Sequence, residues 1–433
     1  MNKPPVVSRI WLHLCLIIAV LVLLLIVCGV LWYRSDSDLR RIDARAKVLG
    51  VATTWEAWGL KTAAAERVEI WKRCADLSDN QLPKYPYNSI APEEYPPLKN
   101  FNPIPELLLK HLASLPADKV EELMTLIELL RDEPLALRDH VSLLSSQPEI
   151  LTLRQLTEHL RHIAVVAPKT EIPLLRMVTA IRSFHCMSIC SYLVKRNTAH
   201  MAFAAVVNRL PELKGHVPQL ADQLDQLVQG FDHDLQTALL SEFITFRLAF
   251  EKPDSSELMT WMSCLGVASD GPHPVIPRSL PLPVLVRCGR ETVLDRLLDS
   301  IQATHHMPVS RGQLTNLWNS MAPDTGPSLW NNFRFSDEFP LLIHQNYDGE
   351  SIAKFHHQSQ LRLTLLAAEL RQKPWPVDLF DPSGKPLRRY ERAGKLIGAY
   401  SVGSDGVDDG GVRKTDIVFP LYGPWEAPVP GSP

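Results

Sequence analysis

An acidic, glycine-rich loop near the C-terminus carries the side chains whose types and spacing most clearly suggest chemistry. The run "YSVGSDGVDDGG", residues 400–411, contains three aspartates and four glycines, and a further aspartate follows in "TDIVF". Calcium binds about six to eight oxygen ligands from carboxylates and carbonyls, and glycines let the backbone turn its carbonyls towards an ion. The pattern predicts calcium-binding carboxylates at Asp405, Asp408, Asp409 and Asp416. A solvated turn between strands explains the same composition, and both interpretations remain open.

The C-terminal stretch resembles a known protein family over residues 381–419. Its run from "DPSGKPLRRY" through "YSVGSDGVDDGG" to "TDIVF" is similar to the end of type II secretion pseudopilins. It is still more similar to a group of membrane-anchored proteins common in Planctomycetes and Verrucomicrobia, which have an N-terminal anchor and a long helical body. Major pseudopilins hold calcium in this loop, so the resemblance implies calcium contacts at Ser401, Gly403, Asp405, Gly406 and Asp416.

Two features separate this chain from a pseudopilin. A long intervening body lies between the apolar N-terminus and the C-terminal motif, whereas the apolar helix of a pseudopilin leads directly into a small domain. No prepilin processing site precedes the apolar stretch. The resemblance therefore implies a calcium-loop module and not a part in pilus assembly. The complete set of predicted calcium residues is Ser401, Asp405, Asp408, Asp409 and Asp416.

A second group of potential metal ligands lies in the middle of the chain. In "HCMSIC" the thiols of Cys186 and Cys190 would share one face of a helix, one turn apart. Glu158, His159 and His162 on a neighbouring helix could complete a zinc site. Buried thiols packed in a core account equally well for the two cysteines, so both interpretations remain open.

Other polar clusters do not form a recognisable catalytic motif. The side chains of His356 and His357 would point about 100° apart on a helix, so they rarely share one metal. Asp232, His233 and Asp234 are expected to open a helix as capping residues, since the sequence places no nucleophile near them. The motifs HExxH, GxSxG, GxGxxG and the Walker glycine loop are absent. No catalytic residue is predicted, and a membrane-tethered metal-dependent enzyme remains the alternative.

Composition restricts the class of protein and partner. The chain has 45 lysines and arginines against 48 aspartates and glutamates, a formal net charge of -3. Proteins that bind nucleic acid neutralise phosphates with a basic excess, so no nucleic-acid partner is predicted. Seven widely spaced cysteines do not suggest a disulfide framework. A hydrophobic fraction of 45% in 433 residues provides for a large folded core.

An uncharged apolar stretch at residues 10–33 predicts a single-pass membrane anchor, with membrane lipid as its partner. It is long enough to cross the hydrocarbon core as one helix, and Trp11, Trp32 and Tyr33 suit the interfaces. A cleaved signal peptide would have a shorter apolar region followed by small residues. The bulky residues here favour an uncleaved anchor, although a secreted protein after cleavage remains an alternative.

Two arguments about the orientation of the anchor point in opposite directions. Five basic residues follow the stretch closely and two precede it, which by the positive-inside rule would place the body in the cytoplasm. The rule is weak for long translocated domains, and the resemblance favours the opposite orientation. The prediction is a cell-membrane protein whose body lies on the extracytoplasmic side.

Hydrophobic periodicity and proline clusters predict a mostly α-helical fold with a transmembrane helix, an irregular multi-helix body and a small C-terminal β-hairpin element. Leu123, Leu126, Ile127 and Leu130 form one apolar helical stripe that is expected to be buried, and "RAGK" at 392–395 is expected to close the hairpin. The predicted regions are a tail (1–9), the anchor (10–33), juxtamembrane helices (34–79), a proline-rich crossing segment (80–104), a helical domain (105–251), a Pro/Gly-rich break (252–289), a second helical region (290–373), the β element with the Asp/Gly loop (374–425) and a tail (426–433).

These features together predict a structural or protein-interaction role at the cell envelope. A helical body offers grooves for segments of a protein partner, whose identity the sequence does not indicate. Calcium in the C-terminal loop would stabilise the folded state by mass action.

Overall fold

The described part of the chain is mostly helical and ends in a three-stranded antiparallel sheet, which confirms the predicted fold class at that level. Among the described residues, no helix is both long and apolar enough to cross a membrane. The predicted anchor lies largely outside these residues, and its described positions are helical. The computed structural model describes residues 18–23, 26, 29, 33, 37–59, 63–84, 106–130, 148–167, 171–251, 294–295, 297–302, 349–403, 405–413 and 415–423.

In the described ranges, the body consists of helices. A π-helical turn at Leu77–Gln81, called the π-turn below, directly continues α3. The helices are α1 (37–48), α2 (Trp55–Trp58), α3 (Ala65–Asp76), α4 (Glu106–Ala113), α5 (Ala117–Leu130), α6 (Pro148–Val166), α7 (Glu171–Ser183), α8 (Ile189–Val207), α9 (Leu210–Leu213), α10 (Pro218–Glu251) and α11 (Gly349–Leu370).

The core is built around α8, which packs against α6, α7, α10 and α11. A larger apolar cluster joins α3, α5 to α8, the first half of α10, α11 and the C-terminal sheet. A smaller cluster joins α1, the start of α8, the second half of α10 and residues 294–301. In the predicted stripe, Leu123, Ile127 and Leu130 are fully buried in the larger cluster, and Leu126 packs against it partly buried.

Helix boundaries differ from the sequence prediction at two places. The pattern Thr152 to Gln155 suggests a capping box, but α6 already begins at Pro148, and the Thr152 hydroxyl donates instead to Asp79 at 3.3 Å. The stretch 171–196 reads as one helix, yet α7 ends at Ser183 and α8 starts after Ser188. Ser188 and Ser191 cap α8 reciprocally through backbone-to-hydroxyl bonds of 2.8 and 3.0 Å. Sequence reasoning missed this box because serine replaces the usual Glu or Gln at its third position.

The long helix α10 runs through Gly230, where the sequence suggests a break between two helices. A glycine inside a helix costs about 1 kcal/mol relative to alanine. Leu227 and Phe231 on either side are buried in the larger cluster. Burial of one such side chain contributes roughly 1.5–3 kcal/mol, so packing outweighs the low propensity of the glycine.

The C-terminal sheet has the order β1-β2-β3, with β1 (Arg388–Arg392), β2 (Lys395–Ser401) and β3 (Ile417–Pro420). The turn between β1 and β2 consists of Ala393 and Gly394, both with positive φ, as a two-residue hairpin turn requires. This confirms the predicted hairpin. In β2, a Cβ at Gly398 would lie 2.2 Å from the Phe419 carbonyl oxygen, so only glycine fits there.

Glu369 joins the sheet region to the helices. Its carboxylate accepts hydrogen bonds from Lys214 Nζ at 2.8 Å, from the Tyr422 hydroxyl and from the Trp375 indole nitrogen. Burial works against the charge, but these three bonds outweigh it and lower the pKa of Glu369. The carboxylate therefore connects α11, the α9–α10 connection and the end of the chain.

Replacement of this carboxylate should loosen the sheet from the body. In Glu369→Gln an amide N–H₂ would face three donors, which we expect to lower the free energy of opening of this contact by about 2 kcal/mol. Hydrogen exchange of the backbone amides of β2 and β3, measured on the full chain in mild detergent, should then be roughly 30-fold faster. Glu121→Gln, at an exposed position of α5, is the control. Unchanged exchange in Glu369→Gln would contradict the role assigned to this contact.

Candidate functional site

The three strands, the Asp/Gly loop and the residues leading into β1, together residues 374–423, are called the C-terminal module below. Arg388 lies at the centre of its acidic side chains. From β1 its guanidinium reaches three carboxylates, with Nε at 2.6 Å from Asp408, Nη2 at 2.8 Å from Asp381 and Nη1 at 3.4 Å from Asp378. Burial opposes the charge of Arg388, but the bonds to Asp381 and Asp408 outweigh it and raise the pKa of the guanidinium. A side chain of the protein itself therefore neutralises part of the acidic cluster.

Asp378 is the buried anchor of this network, with 1% of its surface exposed. It accepts hydrogen bonds from the Ser401 hydroxyl at 2.6 Å and from the backbone nitrogens of Phe380 and Val402 at 2.9 and 3.0 Å. Sequence reasoning did not select Asp378, because an isolated Asp in "WPVDLF" gives no signal of its distant partners. The consequence is that the Ser401 hydroxyl points to Asp378.

The predicted calcium residues lie in three separate environments. Ser401 and Asp408 belong to the Arg388 network, in which Asp408 also accepts from the Tyr400 hydroxyl at 3.2 Å. Asp405 is exposed and accepts from the Val407 nitrogen at 3.0 Å in a local turn. Within the described ranges, no three His, Cys, Asp or Glu side chains are positioned together to hold a metal. The calcium site built from these five residues stays a prediction.

Asp416 is the predicted residue whose surroundings best fit a cation. One carboxylate oxygen accepts from the Gly411 nitrogen at 2.6 Å. The other is buried and has no hydrogen-bond partner among the described residues. Burial raises the pKa of Asp416, and the charges of Asp409 and Asp408 add to this effect, whereas backbone hydrogen bonds from Gly411 and Asp409 work against it. A cation between Asp409 and Asp416 would satisfy the buried oxygen and relieve this repulsion.

The glycines of this loop let the backbone turn, which can direct carbonyl oxygens towards a bound ion. Gly403, Gly406, Gly410 and Gly411 all have positive φ. A Cβ at Gly403 would lie 2.2 Å from the Thr415 carbonyl oxygen, so the two arms of the loop approach closely there. Carbonyl oxygens are ligands that calcium accepts. The loop backbone therefore contains oxygen atoms of the type that calcium accepts.

A second polar cluster is buried between α8 and α10. Lys195 Nζ donates to Asp234 at 2.9 Å and to the Phe184 carbonyl at 2.7 Å. Arg196 Nη2 donates to the Phe231 carbonyl at 3.0 Å and lies 3.5 Å from the second oxygen of Asp234. All three charged side chains are buried, and the one negative charge of Asp234 offsets part of the positive charge of the two cations.

Next to this cluster, a hydrogen-bonded chain connects three helices. The Tyr192 hydroxyl on α8 bonds to His356 Nδ1 on α11, and His356 Nε2 bonds to Asp232 on α10 at 2.8 Å. The order resembles a nucleophile–base–acid arrangement, but burial raises the pKa of Tyr192 to about 12. The phenol stays protonated near neutral pH, and both Tyr192 and His356 are fully buried. This geometry suits a structural connection better than nucleophilic catalysis.

Two sequence predictions about this region are wrong. Asp232 and Asp234 lie in the middle of α10 and do not open a helix. Cys186 precedes α8 while Cys190 lies within it, so the two thiols do not share one helical face. Burial raises the pKa of Cys186, which disfavours the thiolate that zinc requires. His159 meanwhile bonds to the Ser78 carbonyl in the π-turn, so the proposed zinc ligands do not assemble.

Comparisons with protein-family models, with curated proteins and with solved structures find no match to this chain. The similarity of residues 381–419 to pseudopilins therefore stays a prediction.

Removal of the guanidinium should weaken the C-terminal module. In Arg388→Met, Asp378 and Asp381 lose their cationic partner, which we expect to lower the free energy of unfolding of the module by roughly 2 kcal/mol. Thermal unfolding of the full chain and exchange of β2 amides would measure the loss. Arg413→Met, at an exposed position of the same loop, should have no effect. Equal stability of the two variants would contradict the central role of Arg388.

Proposed function

We propose that this chain is a single-pass, membrane-anchored envelope protein whose folded part has a structural or protein-interaction role. The uncharged stretch at 10–33 supports the anchor. The body is proposed to lie on the extracytoplasmic side, as in the family that the C-terminal motif resembles.

The observation that carries the structural role is the internal pairing of the charged groups at the two candidate sites. Arg388 serves the carboxylates of the C-terminal module, and Asp234 serves the cations between α8 and α10. Catalytic groups must reach a substrate, whereas these groups are engaged with one another. Such pairing supports a body that holds its shape for a protein partner.

Calcium is proposed as an additional stabiliser of the C-terminal module. Asp416 would hold the ion through its buried unbonded oxygen, with Asp409 and loop carbonyls as further ligands. The ion would supply the positive charge that this end of the loop lacks, while Arg388 supplies it at the other end. Because calcium would bind the folded loop and not the unfolded chain, it would stabilise the module by mass action.

The anchor can be tested by extraction of native membranes with alkaline carbonate. The intact chain should remain in the membrane pellet, because a spanning helix resists this treatment. Val22→Arg combined with Leu25→Arg should release it, since each charge at the centre of a span costs about 3 kcal/mol. Val48→Arg, at an exposed position of α1, should not. Release of the unaltered chain, or a mature N-terminus near residue 34, would refute the anchor.

The calcium proposal can be tested by thermal unfolding of the full chain with and without calcium. Saturating calcium at about 100 times its dissociation constant should stabilise the module by about 2.7 kcal/mol. Asp416→Asn should abolish this gain, and Asp405→Asn should retain it because Asp405 lies in a separate exposed turn. Loss of the gain in both variants would favour the five-residue site predicted from sequence. No gain in the unaltered chain would reject calcium.

A further inference from the structure

Three histidines form a buried cluster where α4 meets α6. The ring of His111 on α4 lies with its centroid 6.5 Å from that of His159 and 5.8 Å from that of His162, both on α6. Their exposed fractions are 6%, 4% and 1%. His159 Nε2 also bonds to the Ser78 carbonyl of the π-turn at 3.2 Å. The cluster therefore joins three separate elements.

The helix α4 depends on this cluster for its place in the fold. It is short, Glu106–Ala113, and α6 is its main described neighbour. Its buried side chains include Leu108 and His111, whereas Leu109 and Lys110 are exposed. Isolated helices of this length are not stable in water, so tertiary packing must hold α4. Loss of the contact at His111 would remove much of that packing.

The charged groups nearest the cluster do not favour protonated imidazoles. Arg161 and Lys84 act on the rings with positive charge. The carboxylate of Asp79 in the π-turn accepts a bond from Thr152, and burial raises the pKa of Glu158 to about 7, so Glu158 becomes neutral on acidification. Among the charged side chains of the other elements that pack against α6, Arg73 pairs with Glu122, Arg176 with Glu128 and Lys195 with Asp234. On α4 itself, Lys110 pairs with Glu106.

The described surroundings hold all three imidazoles in the neutral form. Burial lowers the pKa of His111, lowers that of His159 to about 4 and lowers that of His162 well below its ordinary value. For His159 and His162, positive charge from the neighbouring rings adds to this effect. A proton on any of the rings would place a charge in an apolar site and repel the other two.

We propose that this histidine cluster is an acid-sensitive latch, which holds α4 on α6 near neutral pH and releases it when the cluster is protonated. The proposal is independent of the anchor and of calcium. It assigns to the body a region that opens before the rest of the fold as the medium becomes acidic.

The direction of the pH effect follows from proton binding. The open state binds protons with an ordinary histidine pKa near 6.5, whereas the closed state keeps the pKa of His159 at about 4. The closed state is therefore fully favoured above pH 6.5 and loses stability as the pH falls from there towards 4. Between pH 7.5 and pH 5, His159 alone should increase the opening equilibrium by about 30-fold.

Hydrogen exchange of the full chain at pH 7.5 and pH 5, corrected for intrinsic rates, would test the latch. Amides of α4 and the π-turn should lose protection by at least about 30-fold, while amides in the second half of α10 keep theirs. His159→Gln retains a donor for the Ser78 carbonyl but cannot be protonated. The loss of protection in α4 between pH 7.5 and pH 5 should therefore be about 30-fold smaller in this variant than in the unaltered chain. His216→Gln, at an exposed position, should leave it unchanged.

Other outcomes would overturn the latch. Simultaneous loss of protection in α4 and α10 would indicate global acid unfolding, to which the buried rings of His185, His200 and His356 would contribute. A full pH effect in His159→Gln would exclude His159. Should that variant fail to fold, histidine NMR of the unaltered chain decides. The cluster rings must titrate together with the opening of α4, and titration near pH 6.5 with α4 still protected would reject the proposal.

Discussion

The fold depends on one constraint: α8 is enclosed by other helices and still carries two cations. Lys195 and Arg196 are buried, and Asp234 of α10 is their shared counter-ion. A buried ion costs several kcal/mol unless it is paired, so α8 and α10 can pack in this register only with Asp234 in place. Arg196 also lies over the rings of Phe231 and Tyr192, which couples the ion pair to the apolar core.

In the C-terminal module the charges are also paired internally, but here several carboxylates surround one cation. Here the carboxylates are numerous, and Arg388 lies among Asp378, Asp381 and Asp408. An internal guanidinium provides what a bound cation would otherwise provide, so this half of the loop is neutralised by the chain itself. Asp416 lies outside the reach of this network and keeps a buried unbonded oxygen. The module thus has an internal cation among one group of carboxylates, and the calcium proposed above would bind at Asp416, outside that group.

Local signals in the sequence predicted the local structure. The spacing of Leu123, Ile127 and Leu130 identified a buried helical face, and Ala393-Gly394 lay where the hairpin turn was expected. Contacts between distant residues were not predictable, because nothing near Asp232 indicates His356 and nothing near Ser401 indicates Asp378. The acidic loop was recognised by composition, but composition does not distinguish carboxylates bound by Arg388 from carboxylates available to calcium.

The position of β1 at the edge of the sheet has a consequence for solubility. An edge strand offers unpaired backbone groups to which a strand of another molecule can add. The sequence of β1, "RRYER", is strongly charged, and its register shifts at Tyr390 and Glu391. Like charges on a second copy would repel it, and the irregular backbone would interrupt a continuous ladder. Crowded copies of this protein should therefore resist joining through the β1 edge.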